Sequence, residues 1–308
     1  MDRRLWASAV LNLAITLAEL FGGLLAGSLA LLSDAAHNLS DVAAVALALW
    51  ARRLSRRPPT THHTYGFKRA EVIAALANAV ALIAVSVVIA REALVRLLHP
   101  TPVAQGIMLS VALVALAANV GSVLLLRRHE RDDVNVRSAF LHMAQDALAS
   151  LAVVAAALLA HTPVGLYVDP AAALIVVFAV LRSGLSLVWE TLSTLLEGAP
   201  AGVAVEALAD DVQRAFPGAT LHHLHLWQNG PGQRLLTALV FVSEDIDGRA
   251  IEALFSQVKA FLHDRWGVAH ATLEPEVEGC GERDVLGSWE ADAGSGHGRG
   301  FAPGRGSR

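Results

Sequence analysis

A single cysteine, Cys280, stands in the whole chain of 308 residues. That excludes an intrachain disulfide framework and any CxxC metal or redox pair, and it suits a soluble part facing the reducing cytosol. Charge is also scarce. Asp, Glu, Lys and Arg make up 17% of the chain against 54% apolar residues, with a mean hydropathy of +0.48, which is too apolar for a water-soluble domain of this size. Aromatic residues reach just 6%. Alanine, leucine and valine instead carry the apolar content in long runs, as expected where side chains meet lipid. A net charge of -4 without any basic block points away from a nucleic-acid partner. No HExxH occurs, so an intramembrane metalloprotease of that type is excluded.

What the sequence does contain is six apolar runs, each near the roughly 20 helical residues that cross a bilayer core. They are Leu5 to Ala26, Leu29 to Ala51, Val72 to Leu98, Val103 to Leu126, Phe140 to Ala160 and Val168 to Trp189. The first is longer than a signal-peptide core and no A-x-A cleavage site precedes a soluble domain, so it reads as retained. In the sixth the clean apolar stretch ends near Arg182, and the helix is expected to enter at Pro170. With six crossings, Arg3, Arg4, Arg52, Arg53, Arg56, Arg57, Lys68, Arg69, Arg127, Arg128, Arg131 and Arg137 fall on one side, and Arg91 and Arg96 on the other. The bias places both termini in the cytoplasm.

After Trp189 the composition changes. An amphipathic helical stretch, AVEALADDVQRAF, is followed by two strand-like runs, ATLHHLHLW and RLLTALVFV, joined by the turn NGPGQ. A second helix, IEALFSQVKAFLHDRW, and a last strand, VAHATLE, complete the order αββαβ, compatible with a ferredoxin-like sandwich. The expected fold is thus an all-α transmembrane domain of six helices over residues 1–195, plus a cytoplasmic α+β ferredoxin-like domain over 196–279. The Gly- and Arg-rich tail, 280–308, is expected to be disordered.

Ionisable residues inside the spans need a reason, because a charge in lipid costs at least ~2.5 to 3.5 kcal/mol on insertion scales. Span two reads SDAAHNLSDV, with His37 and Asp41 four apart; span five reads FLHMAQDALAS, with His142 and Asp146 also four apart. Residues at i and i+4 share a helical face. Spans two and five run in opposite directions, so side by side they would set His37 level with Asp146 and Asp41 level with His142. Two nitrogen and two oxygen donors match a tetrahedral Zn²⁺ site. The bland alternatives are helix–helix hydrogen bonds or a metal-free proton relay. Asp34, Asn38 and Gln145 stand nearby as supporting partners, while Asn12, Glu19, Asn78 and Asn119 read as interhelical glue, with Glu19 also able to line a water-filled entry path.

The motifs SLALLSDAAHNLSD, TYGFKRAEV, DVNVRSAFLHMAQDALAS, LLEGAP and HHLHLW, in this order over about residues 5 to 276, resemble those of the cation diffusion facilitators. The resemblance implies a homodimer in the lipid bilayer that exports Zn²⁺ from the cytoplasm in exchange for protons, with Cd²⁺ or Co²⁺ as alternative substrates. It implies no prosthetic group and no enzyme activity. It also implies a regulatory zinc at the dimer interface near His222, Glu252, Glu274 and Glu276, although these equally suit a polar surface. Strand alternation is expected to send His223 and His225 to one face and His222 to the other. A basic Arg69 and an acidic Glu197 match positions that look like a charge interlock in relatives. The pattern departs after Gly66, where Phe67 and Lys68 replace the usual ligand and leave only His62 and His63 close by. The connection RRHERDD lacks the His-rich insert of many eukaryotic relatives, which implies a bacterial plasma membrane. A metal sensor merely anchored in the membrane is a further reading, but it leaves the intramembrane His and Asp pairs without a purpose.

Overall fold

The structure is a computed structural model. It describes the backbone of residues 3–126, 134–162, 164–243, 246–277 and 285–286, and the side chains of 11–124, 140, 143–162, 164–243, 246–277 and 285–286. Two compact units emerge, one formed by Met1–Arg56 with Ile73–Thr191, the other by Arg57–Val72 with Leu192–Arg308.

Among the described residues, the first unit is built from six long helices: α1 (Arg3–Ala26), α2 (Leu29–Ser55), α3 (Ala70–Leu98), α4 (Gln105–Leu126), α5 (Val134–Leu159) and α6 (Gly165–Leu195). Helices α3 and α6 and the Gln105–Leu124 part of α4 are long and apolar enough to cross a membrane; Leu11–Ala26 and Met143–Leu159 are shorter apolar helical stretches. Burial here inverts the pattern of a soluble protein. Phe21, Leu25, Val88, Ile175 and Phe178 are exposed, whereas alanines such as Ala30, Ala93, Ala112, Ala157 and Ala173 fill the interior. Small residues let helices approach closely where lipid, not water, is the competing surroundings. At Gly22 a Cβ would come within 2.6 Å of Val111 Cγ2, so the packing of α1 on α4 requires glycine there.

Helix α6 is longer than the expected run at both ends. It begins at Gly165, so Pro170 lies inside the helix, and it continues beyond Trp189 to Leu195. Pro170, the sixth residue of the helix, removes the donor that would otherwise reach the Leu166 carbonyl in the second turn. The exposed Arg182 ends the apolar run without ending the helix.

In the second unit, α7 (Val205–Ala215), β1 (Thr220–Gly230), β2 (Gln233–Phe241), α8 (Gly248–Trp266) and β3 (Val268–Glu276) follow in the order αββαβ. The sheet order is β1-β2-β3, with β1 antiparallel and β3 parallel to β2. Leu208 and Val212 of α7 and Val258 and Leu262 of α8 are buried with Leu224, Leu236 and Val240 of the sheet in one core. Asp247 caps α8, its Oδ1 accepting from Ala250 N at 2.8 Å, and Gly267 ends that helix at φ 65°. Residues 57–72 pack on the β1–β2 hairpin: Asn229 Nδ2 donates to the Tyr65 carbonyl, and a Cβ on Gly230 would lie 3.1 Å from the Lys68 carbonyl.

The alternation expected in β1 is interrupted. A register shift falls between His222 and His225, and His223 adopts φ 45°. This bulge puts Leu221 and His222, adjacent in sequence, both in buried positions. Most of the tail lies outside the described residues. Val285 and Leu286 are described, however, and the Val285 carbonyl accepts a hydrogen bond from Leu224 N at 2.8 Å while its side chain packs against the core.

Candidate metal centre

Helix α2 carries a polar stripe because Asp34, His37, Asn38 and Asp41 recur at helical spacing. Its start is fixed from outside the helix. Ser28 is the N-cap, its Oγ accepting from Leu31 N at 3.2 Å and donating to Asp169 Oδ1 at 2.6 Å. Asp169, buried on α6, also accepts from Leu29 N at 2.8 Å and Ala30 N at 3.3 Å. A carboxylate there satisfies donors that the first turn leaves free and complements the positive end of the helix dipole. Arg96 of α3 donates to the Gly27 carbonyl in the preceding turn, and Ala104 N donates to the Ala26 carbonyl at 2.9 Å. The turn entering α2 is thereby tied to three other parts of the bundle. Sequence reading assigned Asp169 no role; the local signal was a lone acid, Asp169, at the polar end of the sixth apolar run.

Down α2, His37 Nε2 lies 3.8 Å from Asp41 Oδ2, both side chains half-buried. Asp146 of α5 is buried, and it lines with His37 and Gln145 an open cavity of about 410 Å³ whose further wall includes Ile175, Ala179 and Ser183 of α6. The fold thus brings His37 and Asp146 to one hollow between α2, α5 and α6, with Asp41 beside His37. The His142 side chain lies outside the described residues. Among those residues, no group of three or more His, Cys, Asp or Glu stands in metal-holding geometry.

Behind this hollow, Glu19 of α1 is fully buried and its Oε2 accepts from Asn38 Nδ2 at 3.0 Å. Asp34, also buried, lies within interaction range of both Glu19 and Asp146. Asn78 Nδ2 donates to Ser40 Oγ and Asn119 Nδ2 to Ser150 Oγ, each at 3.1 Å, so these two amides do act as links between helices.

In the second unit, His222 Nε2 lies 2.7 Å from Glu276 Oε2, with His223 edge-on to the His222 ring. Burial holds the His222 imidazole below its ordinary value, against the pull of Glu276. Glu252 and Glu274 are exposed. Of the four residues read as regulatory ligands, two are brought together. His62 and His63 are exposed, the latter stacked at 4.5 Å on Phe67. Arg69 Nη2 donates to Glu197 Oε1 at 2.7 Å.

Comparison with known proteins matches residues 5–196 to the cation efflux transmembrane domain. The zinc transporter ZitB of Pectobacterium atrosepticum is 39% identical over 282 residues, covering 91% of this chain and 87% of that protein. The cadmium, cobalt and zinc/H(+)-K(+) antiporter of Bacillus velezensis is 34% identical, covering 84% of this chain and 83% of its own length. The metal cation efflux system protein CzcD of Cupriavidus metallidurans is 33% identical, covering 92% and 89%.

Proposed function

Because this chain belongs to the cation efflux family, we propose that it exports zinc from the cytoplasm in exchange for protons, through a site made by His37, Asp41, His142 and Asp146. It is a membrane transporter of divalent metal cations and not an enzyme. The observation that carries the finer reading is the shared hollow: His37 of α2 and Asp146 of α5 line one cavity, and Asp41 lies 3.8 Å from His37. The names of relatives, a zinc transporter and a zinc antiporter that moves H⁺ and K⁺, support the same cargo and exchange.

The charge balance gives the mechanism. Two carboxylates and two neutral imidazoles carry -2, which one Zn²⁺ cancels; tetrahedral N₂O₂ coordination suits that ion. Releasing the metal to one side leaves the carboxylates in a low-dielectric setting, where protons are the natural replacement. Imidazole is the side chain that ordinarily titrates near neutrality. Metal and protons therefore compete for one set of ligands, and alternating access lets each be exchanged on one side of the membrane. In this reading α1 to α6 make six crossings of a bacterial plasma membrane with both termini cytoplasmic. The second unit is then a ferredoxin-like cytoplasmic domain, and the working form is a homodimer. A regulatory zinc at the cytoplasmic domain would use His222 and Glu276.

Zinc uptake into everted vesicles or proteoliposomes tests the reading. An acid interior should drive uptake at fixed membrane potential, and metal loading should release protons. Flux indifferent to a collapsed pH gradient would remove the proton exchange. Absence of any zinc flux would remove the zinc export reading itself.

A further inference from the structure

The last turns of α2 carry a face left exposed among the described residues. Leu49, Arg52, Arg53 and Arg56 follow the spacing i, i+3, i+4, i+7 and so lie on one side of the helix. Arg52, Arg53 and Arg56 are exposed, as is Leu49, whereas Ala51 and Ser55 turn inward and are buried. Trp50 flanks the face and is 62% exposed. Together Leu49, Trp50, Arg52, Arg53 and Arg56 line an open hollow of about 520 Å³, and no acidic side chain lines it among the described residues.

The order of these residues along the helix has a chemical meaning. Two apolar side chains come first and three guanidiniums follow within about 10 Å of axial rise. A ligand that fills the cavity must offer an apolar part beside a strongly anionic one. Guanidinium is a planar fork that pairs two-point with phosphate oxygens. Indole and leucine accept acyl chain at the depth where interfacial tryptophans sit. A free phosphate would leave Leu49 and Trp50 without a partner.

We propose that this face is a binding site for one anionic phospholipid, its phosphate diester held by Arg52, Arg53 and Arg56 and its acyl chain laid against Leu49 and Trp50. The site rests on the membrane reading above, in which this end of α2 lies at the cytoplasmic headgroups. The lipid is then a ligand of the same helix that bears His37 and Asp41, and it steadies that helix at the end opposite the Ser28 cap.

The full-length protein in nanodiscs of phosphatidylcholine with a minor fraction of phosphatidylglycerol provides the test. Native mass spectrometry counts the lipids that stay bound. The wild type should retain phosphatidylglycerol several-fold over phosphatidylcholine. The triple variant Arg52→Lys, Arg53→Lys, Arg56→Lys keeps every positive charge, and hence the orientation, but replaces forks by point charges; its preference should drop several-fold. Adding Trp50→Ala should lower it further. Equal retention of the two lipids by the wild type, or an unchanged preference in the triple lysine variant, would overturn the site. Displacement of phosphatidylglycerol by millimolar inorganic phosphate would assign the guanidiniums to a soluble anion and overturn it as well. A Leu49→Cys cross-link between protomers in a Cys280→Ser background would show a second copy on this face, with the same consequence. Zinc flux measured in matched proteoliposomes separates the two readings: lost lipid preference with intact flux removes the lipid site alone, and lost flux with intact preference bears on the transport site alone.

Discussion

Arg69 Nη2 meets Glu197 Oε1 at 2.7 Å, and Glu197 reaches it from a left-handed backbone at φ 62°. The local geometry explains the strain. Gly198 N donates to the Ser193 carbonyl at 2.8 Å and Glu197 N to the Thr194 carbonyl at 3.3 Å, the paired bonds of a helix ending in a Schellman motif. Glu197 occupies the position in that motif where glycine is usual. Gly198 follows, and a Cβ there would come 2.5 Å from Ser193 Oγ. A carboxylate is therefore held at a site whose backbone disfavours it by roughly 1 to 2 kcal/mol, which points to a role for the side chain.

Glu197→Gly should relieve that strain while losing a pair worth about 0.2 to 1 kcal/mol at an exposed site. Thermal stability is expected to hold or rise while zinc flux falls. Reversing both charges, Arg69→Glu with Glu197→Arg, should restore part of the flux lost by either single reversal, a coupling that a double-mutant cycle measures. Additive losses, or full flux in Glu197→Gly, would make the two residues independent surface charges.

Asp41→Ala and Asp146→Ala should each abolish zinc transport in proteoliposomes while leaving the protein folded and inserted, since the remaining ligands cannot neutralise the ion. His37→Asp replaces nitrogen by oxygen and should shift metal choice toward Mn²⁺. Competition between Mn²⁺ and Zn²⁺ reads this directly. An active variant with the wild-type selectivity ratio would place the selectivity elsewhere.

Removing the Asp169 carboxyl strips the start of α2 of acceptors for Ser28 Oγ, Leu29 N and Ala30 N. Asp169→Ala is expected to cost about 1 to 3 kcal/mol, the usual penalty for orphaned buried donors. Asp169→Asn, which keeps one carbonyl acceptor, should recover part of it. Unfolding in detergent, with amide exchange at Leu29 and Ala30 as the local probe, checks the order. Equal losses in the two variants would deny the cap its role.

The second unit should weaken in mild acid. The folded His222 sits below its ordinary value through burial, so the unfolded chain takes up the proton first. Stability is complete above about pH 6.5 and declines as pH falls from there toward the folded value. Exchange of β1 and β3 amides at about pH 7.5 and about pH 5.5 should show the decline, and His222→Gln should flatten it. A wild type with equal protection at both pH values would refute the claim.

The six long helices were legible because each is an apolar run bounded by polar or glycine punctuation, and the αββαβ order because its strands alternate and its turn is rich in glycine and proline. Boundaries were less so. The end of α6 beyond Trp189 was hidden, since a hydropathy run fades among polar residues while helical hydrogen bonds do not. Strand alternation failed at His223, where a left-handed residue inserts a bulge that no period-two pattern can announce. For the candidate site, spacing placed His37 and Asp41 on one stripe and the opposite run of spans two and five set His37 level with Asp146; what spacing does not encode is the wall that Ile175, Ala179 and Ser183 of α6 add to their hollow. The Asp169 bonds bridge about 140 positions of sequence, beyond the reach of any local signal.

The hydrogen bond from Leu224 N to the Val285 carbonyl also bears on how this protein can be cut. Leu224 is fully buried beside the bulge, and its amide finds its acceptor nine residues beyond the end of β3. A fragment that stops at Glu276 would deprive that amide of its partner and uncover the apolar wall on which Val285 rests. A self-sufficient version of the C-terminal unit therefore has to keep the chain through Leu286, and residues that composition alone would assign to a tail supply the acceptor for a buried amide of β1.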